Sequence, residues 1–402
     1  MADIRSPAGG PGGDAARPAS VVALAQRLVR LPSRGGIDDY GPVLGVVESW
    51  LGRHGVAHRR LYDGAGGPVG VVAEVAGAAP GPWWALDACL DTAPFGDEGA
   101  WSYSPTSGEV RDGWLLGRGA ADSKLAAAMF CHIAAELVPL RASLRGGLAV
   151  LLDVDEHTGN FGGARAYLAD PATVRPEGVM IGYPGPEEIV VGGRGLWRAT
   201  VHVHGDSGHS GSRRTVLGAV TRAARLVQFL DALDLPGPAD GPGAFPLPPK
   251  VSVTAIHGGE GFSTVPGLCV VSVDVRTTPQ FTSQDAREAV LRTARALDAE
   301  LPGPRPTSVE PVASWPPFRL RPDQEPAAAL FRAAGTAGLR VRPKTAGPSN
   351  IGNHLAGEGI PATAGFGVAY EGLHGTDERA RITDLPRVHA TYRAAVLDLL
   401  RA

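Results

Sequence analysis

Cysteine is scarce: three residues, Cys89, Cys131 and Cys269, in a chain of 402, too few and too scattered for a disulfide framework. An excess of one charge is also missing. With 38 Lys and Arg against 41 Asp and Glu, the net charge is −3. That balance offers neither the basic footprint that nucleic acid requires nor a polybasic surface for acidic lipid. No uninterrupted apolar run approaches the roughly 18–20 residues of a membrane-spanning helix. The first twenty residues are rich in Gly, Ala and Pro and lack an apolar h-region, so they read as a disordered tail over 1–19 rather than a secretory signal. What is present is globular: 44% hydrophobic and 20% charged residues, in a length that holds two or three packed cores. Glycine (55) and proline (35) are frequent but below the roughly 25–30% that signals low complexity. These features predict a cytoplasmic two-domain enzyme or binding protein with no nucleic-acid or membrane partner.

From Val21 onward, Val22, Leu24, Leu28 and Val29 recur at helical spacing, with Ser20 as the expected N-cap. A second helix is expected over 41–55. Apolar runs at 69–75, 83–90, 148–154 and 178–181 read as buried strands, with helices expected at 124–137 and 162–169 between them. Strands alternating with helices predict an α/β domain with a largely parallel sheet. Near Gly193 the texture changes. Trp197, Ala199, Val201 and Val203 alternate with Arg198, Thr200, His202 and His204, the pattern of a half-buried strand. A helix over 214–233, strands at 251–256 and 268–276 and a helix over 283–301 complete an α+β unit of about a hundred residues. After Pro302 the α/β texture returns, with helices at 324–338 and 384–400 and a short strand at 362–365.

Chemistry-bearing side chains gather where strands end, the place where sites form in open α/β sheets. Cys89 and Asp91 lie two residues apart on the same side of an ending strand. The glycine-rich turn Gly117-Arg118-Gly119-Ala120-Ala121-Asp122-Ser123-Lys124 lacks both P-loop and dinucleotide spacing. Asp155-Glu156-His157 follows an apolar strand, Tyr183-Pro184 ends the next, and His374 precedes Asp377-Glu378 in a late loop. Taken singly, each has a plainer reading: Asp122 as a helix cap, Cys89 as a small buried hydrophobe, His157 and His374 as polar loop residues. Cys131 and Cys269 read as core thiols, and Trp83 and Trp84 as packing residues.

Taken in order, the set resembles the zinc-dependent aminoacylase, acetylornithine deacetylase and glutamate carboxypeptidase family of metallopeptidases, from about Val21 to Leu400. The family's Gly-His-x-Asp-x-Val-Pro stands here as Ala88-Cys89-Leu90-Asp91-Thr92-Ala93-Pro94. Asp122 falls on the metal-bridging aspartate. Asp155-Glu156-His157 falls on Asp-Glu-Glu, so Glu156 matches the catalytic base and His157 replaces a ligand glutamate. Tyr183-Pro184 falls on Glu-Pro, and His374 on the final ligand histidine. Gly208-His209-Ser210 is similar to the lid-histidine segment, and Asp274-Val275-Arg276 to the arginine-bearing strand. Ser349-Asn350 stands where the family has Ser-Asp.

The resemblance implies a discontinuous catalytic α/β domain with a central sheet, 20–192 and 304–402, interrupted by an inserted α+β lid and dimerisation domain, 193–303. It implies a homodimer through that insert and hydrolysis of an amide bond beside a carboxylate on a small substrate. One zinc ion per chain is expected, held by Asp122, His157 and His374 as two imidazoles and a carboxylate, with Cys89 as a further candidate ligand. Glu156 is expected as general base, Asp91 as the residue orienting a ligand, and His209 as an oxyanion donor. Arg276, Ser349, Asn350 and Tyr183 are expected to line the substrate pocket. The changed residues at 89, 157 and 183 leave two alternatives open: a member repurposed for metal-free or non-hydrolytic chemistry, or an inactive binding homologue.

Overall fold

The structure, a computed structural model, describes residues 18–238 and 245–401. Of the tail expected over 1–19, residues 1–17 lie outside the described chain, and Pro18 already opens the first helix. In chain order the first elements are α1 (Pro18–Val29), α2 (Gly41–Arg53), β1 (Ala57–Tyr62), β2 (Pro68–Ala76), β3 (Ala79–Asp87) and β4 (Trp114–Leu116). Then come α3 (Leu125–Leu137), β5 (Arg145–Asp153), α4 (Gly162–Ala169), β6 (Gly178–Ile181), β7 (Gly195–His204) and α5 (Ala219–Asp231). The chain continues through β8 (Lys250–His257), β9 (Leu268–Thr277), α6 (Ser283–Glu300), β10 (Ser308–Trp315), α7 (Ala327–Thr336), α8 (Ile351–Gly357), β11 (Ala362–Thr363), β12 (Arg379–Arg381) and α9 (Leu385–Arg401).

The chain divides into two compact units, one of Met1–Val191, Leu320–Lys344 and Asn350–Ala402, the other of Gly192–Arg319 with Thr345–Ser349. The first is built on a six-stranded sheet in the order β1-β2-β5-β3-β6-β11. β5, β3, β6 and β11 run parallel, as expected for strands linked by helical crossovers. The sheet is thus parallel in three of its five pairings, and the other two, β1–β2 and β2–β5, are antiparallel. The sequence reading lacked β1 because only Leu61 of its six residues is buried. Its charged positions are answered by ion pairs, Arg59 with Glu74 and Asp170, and Arg60 with Glu48.

Helix α3 is buried on nearly every side, with Met129, Phe130, Cys131, His132 and Ile133 all enclosed. A helix apolar all round belongs in a core. The stretch Ala120–Ser143 is long and apolar enough to cross a membrane by composition alone, and it is mostly buried here. Ser20 does not cap α1. It sits inside the first turn, and its Oγ lies 3.1 Å from His132 Nε2.

In the second unit, four strands run in the order β8-β9-β7-β10. The alternation along β7 is as expected: Trp197, Ala199, Val201 and Val203 are buried, and Arg198, Thr200, His202 and His204 are half-buried. Their inner face joins α5 and α6 in one core through Leu226, Leu230, Val290 and Leu297. α5 begins at Ala219 rather than near Arg214, because Gly218 is still extended (φ −73°, ψ 159°). β10 lies beyond Pro302 yet pairs with β7 from Ser308 opposite His202 to Trp315 opposite Leu196. This pairing carries the second unit on to Arg319.

Candidate active site

Parallel pairing delivers the first residues to one edge of the sheet. Beyond the end of β3 the register continues, Ala88 N donating to Leu151 O and Leu90 N to Asp153 O. The segments following β3 and β5 therefore leave the sheet side by side, one carrying Cys89 and Asp91, the other Glu156 and His157. Asp91 ties them together: its Oδ1 accepts from Glu156 N (3.3 Å) and its Oδ2 from His157 N (2.9 Å). The turn after β4 brings Asp122. At Gly119, φ is +79°, and a Cβ would stand 2.6 Å from Thr92 Cγ2, so glycine lets the turn pass this closely. Asp122 itself (φ −120°, ψ 90°) is not helical, and α3 begins three residues later with Lys124 as its N-cap. The plain reading of Asp122 as a helix cap is thereby replaced.

Asp122 is the centre of the cluster. Its Oδ2 lies 2.9 Å from His374 Nε2 and 3.4 Å from His157 Nε2. Its Oδ1 accepts from Ser123 Oγ at 3.0 Å and lies 3.8 Å from Cys89 Sγ. On the far side of the His157 ring, Nδ1 is 3.5 Å from Asp91 Oδ2 and 3.6 Å from Glu156 Oε2. The side chains of Asp122 and His157 are nearly closed to solvent (4% and 5%), whereas that of His374 is 53% exposed. The site is therefore open on the His374 side.

Burial opposes ionisation throughout the cluster, and the outcome depends on neighbours. Asp122 is held below the usual carboxylate range because His157 and His374 outweigh the burial penalty. His157 is burdened by burial too, but Asp122, Asp91 and Cys89 raise its pKa above the ordinary imidazole value. Glu156 is pushed up to about 8, by burial first and then by the nearby carboxylates, against the opposing pull of His157. Burial and the Asp122 charge push the Cys89 thiol up. Tyr183 is likewise raised by burial, Asp122 and Glu156, so its phenol is a neutral donor beside Asp122 rather than an anion.

Among the described residues, two sets of ligand atoms lie within 4.8 Å of one another: Asp122, His157 and His374, and Cys89, Asp91 and His157. Zinc–ligand lengths of about 2.0 Å separate two ligands on a tetrahedral ion by roughly 3.3 Å, close to the 3.4 Å between His157 Nε2 and Asp122 Oδ2. Both ring nitrogens of His157 are buried without a hydrogen bond of good geometry. Ring nitrogens that face carboxylates without hydrogen-bonding to them fit a site where a cation would lie between. The first set is the better donor set, because the second needs a thiolate that its surroundings disfavour.

The remaining expected residues are dispersed. Arg276 and Ser349 meet in the second unit, Nη1 to Oγ at 3.3 Å, with Arg276 Nε also paired to Asp274 at 2.8 Å. Asn350 is occupied as the N-cap of α8, its Oδ1 accepting from Gly352 N. His209 is exposed on the second unit, its Nδ1 accepting from Gly211 N at 3.0 Å. The sequence reading missed a buried carboxyl pair, Asp87 and Asp153, at the ends of β3 and β5, where burial pushes Asp87 up to about 7 and Asp153 upward as well. The available signal was a carboxylate at the end of each of two otherwise apolar strands. Lys124 was missed too: wholly buried, it donates to Leu28 O (3.0 Å) and Leu31 O (2.8 Å) and so ties α1 to the Asp122 turn.

Known proteins place this arrangement. Residues 85–398 match the peptidase family M20/M25/M40. A succinyl-diaminopimelate desuccinylase from Cereibacter sphaeroides is 28% identical over 395 residues, 95% of this chain and 99% of that protein. One from Methylorubrum extorquens is 30% identical over 94% of this chain and 98% of its own length. A Staphylococcus aureus tripeptidase shares the fold with a TM-score of 0.76 at 17% identity, over 96% of this chain and 99% of that one. The Bacillus subtilis YXEP protein, described as a dinuclear metal binding peptidase, does so with a TM-score of 0.72 at 16% identity, over 95% and 98%. The chain belongs to peptidase family M20/M25/M40 and is a metal-dependent hydrolase of amide bonds.

Proposed function

We propose that this chain is a cytoplasmic zinc amidohydrolase that uses one ion per chain to cleave an N-acyl amino acid or peptide-like amide beside a carboxylate. The observation that carries the reading is the approach of Asp122, His157 and His374, two imidazoles and a carboxylate with one exposed side. Asp122, His157 and His374 would hold the ion, which would supply Lewis acidity toward a carbonyl and make water a stronger acid. Glu156, beside the His157 ring, takes the proton of the attacking water and returns it to the leaving nitrogen. Asp91 accepts from the backbone N–H of His157 and stands 3.5 Å from its Nδ1, which orients the residue so that Nε2 faces Asp122. Tyr183 acts as a neutral donor at the pocket wall rather than as a ligand, and Cys89 as a thiol.

Arg276 presents a planar fork held by Asp274 and Ser349, suited to a substrate carboxylate. The succinyl group in the names of the succinyl-diaminopimelate desuccinylase relatives carries such a carboxylate. The second unit is read as the lid and dimerisation domain, with His209 as the oxyanion donor it contributes in a homodimer.

Elemental analysis of protein purified without chelator, then loaded with zinc and desalted, tests the reading. One zinc per chain is expected. Two would mean that Cys89 and Tyr183 complete a second centre. None after loading, with amidase activity surviving chelation, would overturn the metal assignment.

A further inference from the structure

We propose that Arg118 and Glu378 are positioning residues, a buried ionic staple that sets the distance between the Asp122 turn and the His374 loop. The proposal rests on the reading of Asp122 and His374 as ligands of one ion. The two segments are neighbours because β12 pairs with β4, Arg379 opposite Leu116. The backbone extends that pairing by one bond, Gly117 N to Glu378 O at 3.0 Å. Backbone pairing alone ends there, four residues short of His374 and five short of Asp122.

The side chains bridge the remainder. Glu378 Oε2 accepts from Arg118 Nη1 at 2.6 Å, and Glu378 Oε1 accepts from the amides of Ala121 (3.1 Å) and Asp122 (3.3 Å). Arg118 Nη2 donates to the carbonyl of Gly375 at 2.7 Å. One carboxylate therefore holds the main chain of Asp122 itself, and its partner holds the residue next to His374. Both side chains are enclosed, Arg118 2% and Glu378 0% exposed, with the guanidinium 5.2 Å from the Trp101 ring centre.

Two observations favour positioning over simple stability. A buried ion pair seldom stabilises more than an apolar pair of the same volume, because desolvating both charges offsets their attraction. The segments it joins are also ones that do not hold their own shape. Asp122 and Ser123 leave helical geometry, and His374 and Asp377 both occupy the left-handed region at φ +57°. Non-glycine residues remain there only where surrounding contacts over-determine them. Around Asp377 those contacts come from Ser102, whose N and Oγ both donate to its carboxylate, while Tyr103 Oη donates to Glu378 O. Around Asp122 they come from Glu378.

The test uses Glu378→Gln and Arg118→Lys in the full-length protein. Gln is the shape of Glu but turns an N–H toward Arg118, and Lys keeps the charge but cannot fork between Glu378 and Gly375. Metal-free protein is followed by amide hydrogen exchange, and cobalt-loaded protein by its visible absorption and by chelator competition. In both variants, exchange is expected to rise together in 117–124 and 372–379 while other segments keep wild-type protection. Cobalt affinity should fall about 10–100-fold, as for other residues that orient metal ligands, with altered cobalt bands and a loss in kcat larger than any change in KM. Wild-type exchange in either segment, or wild-type cobalt affinity and bands, would overturn the staple. Should Glu378→Gln fail to fold, Arg118→Lys decides on the same readouts. If the wild-type chain binds no metal, the zinc reading fails on its own account, and the exchange pattern still decides whether the staple exists.

Discussion

Acidification should loosen this protein through one histidine far from the candidate metal centre. His132 lies in the middle of α3, fully buried, with Nδ1 2.8 Å from Ala128 O and Nε2 3.1 Å from Ser20 Oγ. The Trp50 ring centre stands 4.3 Å away. Burial pushes its pKa down from 6.5 to about 4, helped by His389 and His54 and opposed by the Ala128 carbonyl and Glu136. The unfolded chain therefore binds a proton between those two values that the folded chain refuses, so stability falls as pH falls through this window. Above the ordinary imidazole value the contribution is complete. At pH 5 a depression of this size removes about 2 kcal/mol, which for a domain of this size lowers the melting midpoint by about 4–8 °C. His132→Gln keeps a donor and an acceptor but does not titrate. Its midpoint should drop less than that of the wild type between pH 7.5 and pH 5, by the amount just given. Every other titrating group is present in both proteins, so the difference between the two curves isolates His132 together with its coupling to His389, His54 and Glu136. Parallel midpoint curves for the two proteins would refute the reasoning.

Three further outcomes follow from the proposed function. His157→Ala removes the imidazole facing both Asp122 and Asp91, and should lose zinc and activity by more than the roughly 10–100-fold typical of an outer-sphere change. Tyr183→Phe should keep its metal, because the phenol is neutral; zinc loss in that variant by elemental analysis would make Tyr183 a ligand. Arg276→Ala should lower kcat/KM about 10–100-fold for carboxylate substrates, the range for a lost charge-assisted hydrogen bond. It should leave neutral amides nearly unaffected, and equal losses on both would exclude carboxylate recognition.

Much of this site was legible because it is built from short local motifs at strand ends. Asp91 and Cys89 are two residues apart, Glu156 and His157 are adjacent, and the alternation along β7 needed no tertiary information to read. What escaped the sequence depends on partners distant along it. β1 is a strand by pairing with β2, its Arg59 and Arg60 answered by Glu74, Asp170 and Glu48, and its own pattern of burial is too weak to show it. β10 is mostly exposed and becomes a strand only by lying against β7. Ser20 looked like a cap because its residue type favours caps; a buried histidine 112 positions later uses its hydroxyl instead.

The chemistry of the substituted positions follows the same logic. A sequence shows that Tyr183 stands where the family carries a glutamate, but not whether the phenol is ionised. Buried beside the low-pKa carboxylate of Asp122, it stays protonated, which in the proposed reading makes it a donor rather than a ligand. His157 changes in the opposite sense, since imidazole for carboxylate retains a ligand atom and places Nε2 3.4 Å from Asp122. Under the proposed one-ion reading, the two substitutions act together: they weaken the half of the site that Cys89 and Tyr183 would build and keep ligand atoms in the half that His157 and His374 would build. Arg118 and Glu378, 260 residues apart, act on that second half, holding the turn that carries Asp122 against the loop that carries His374.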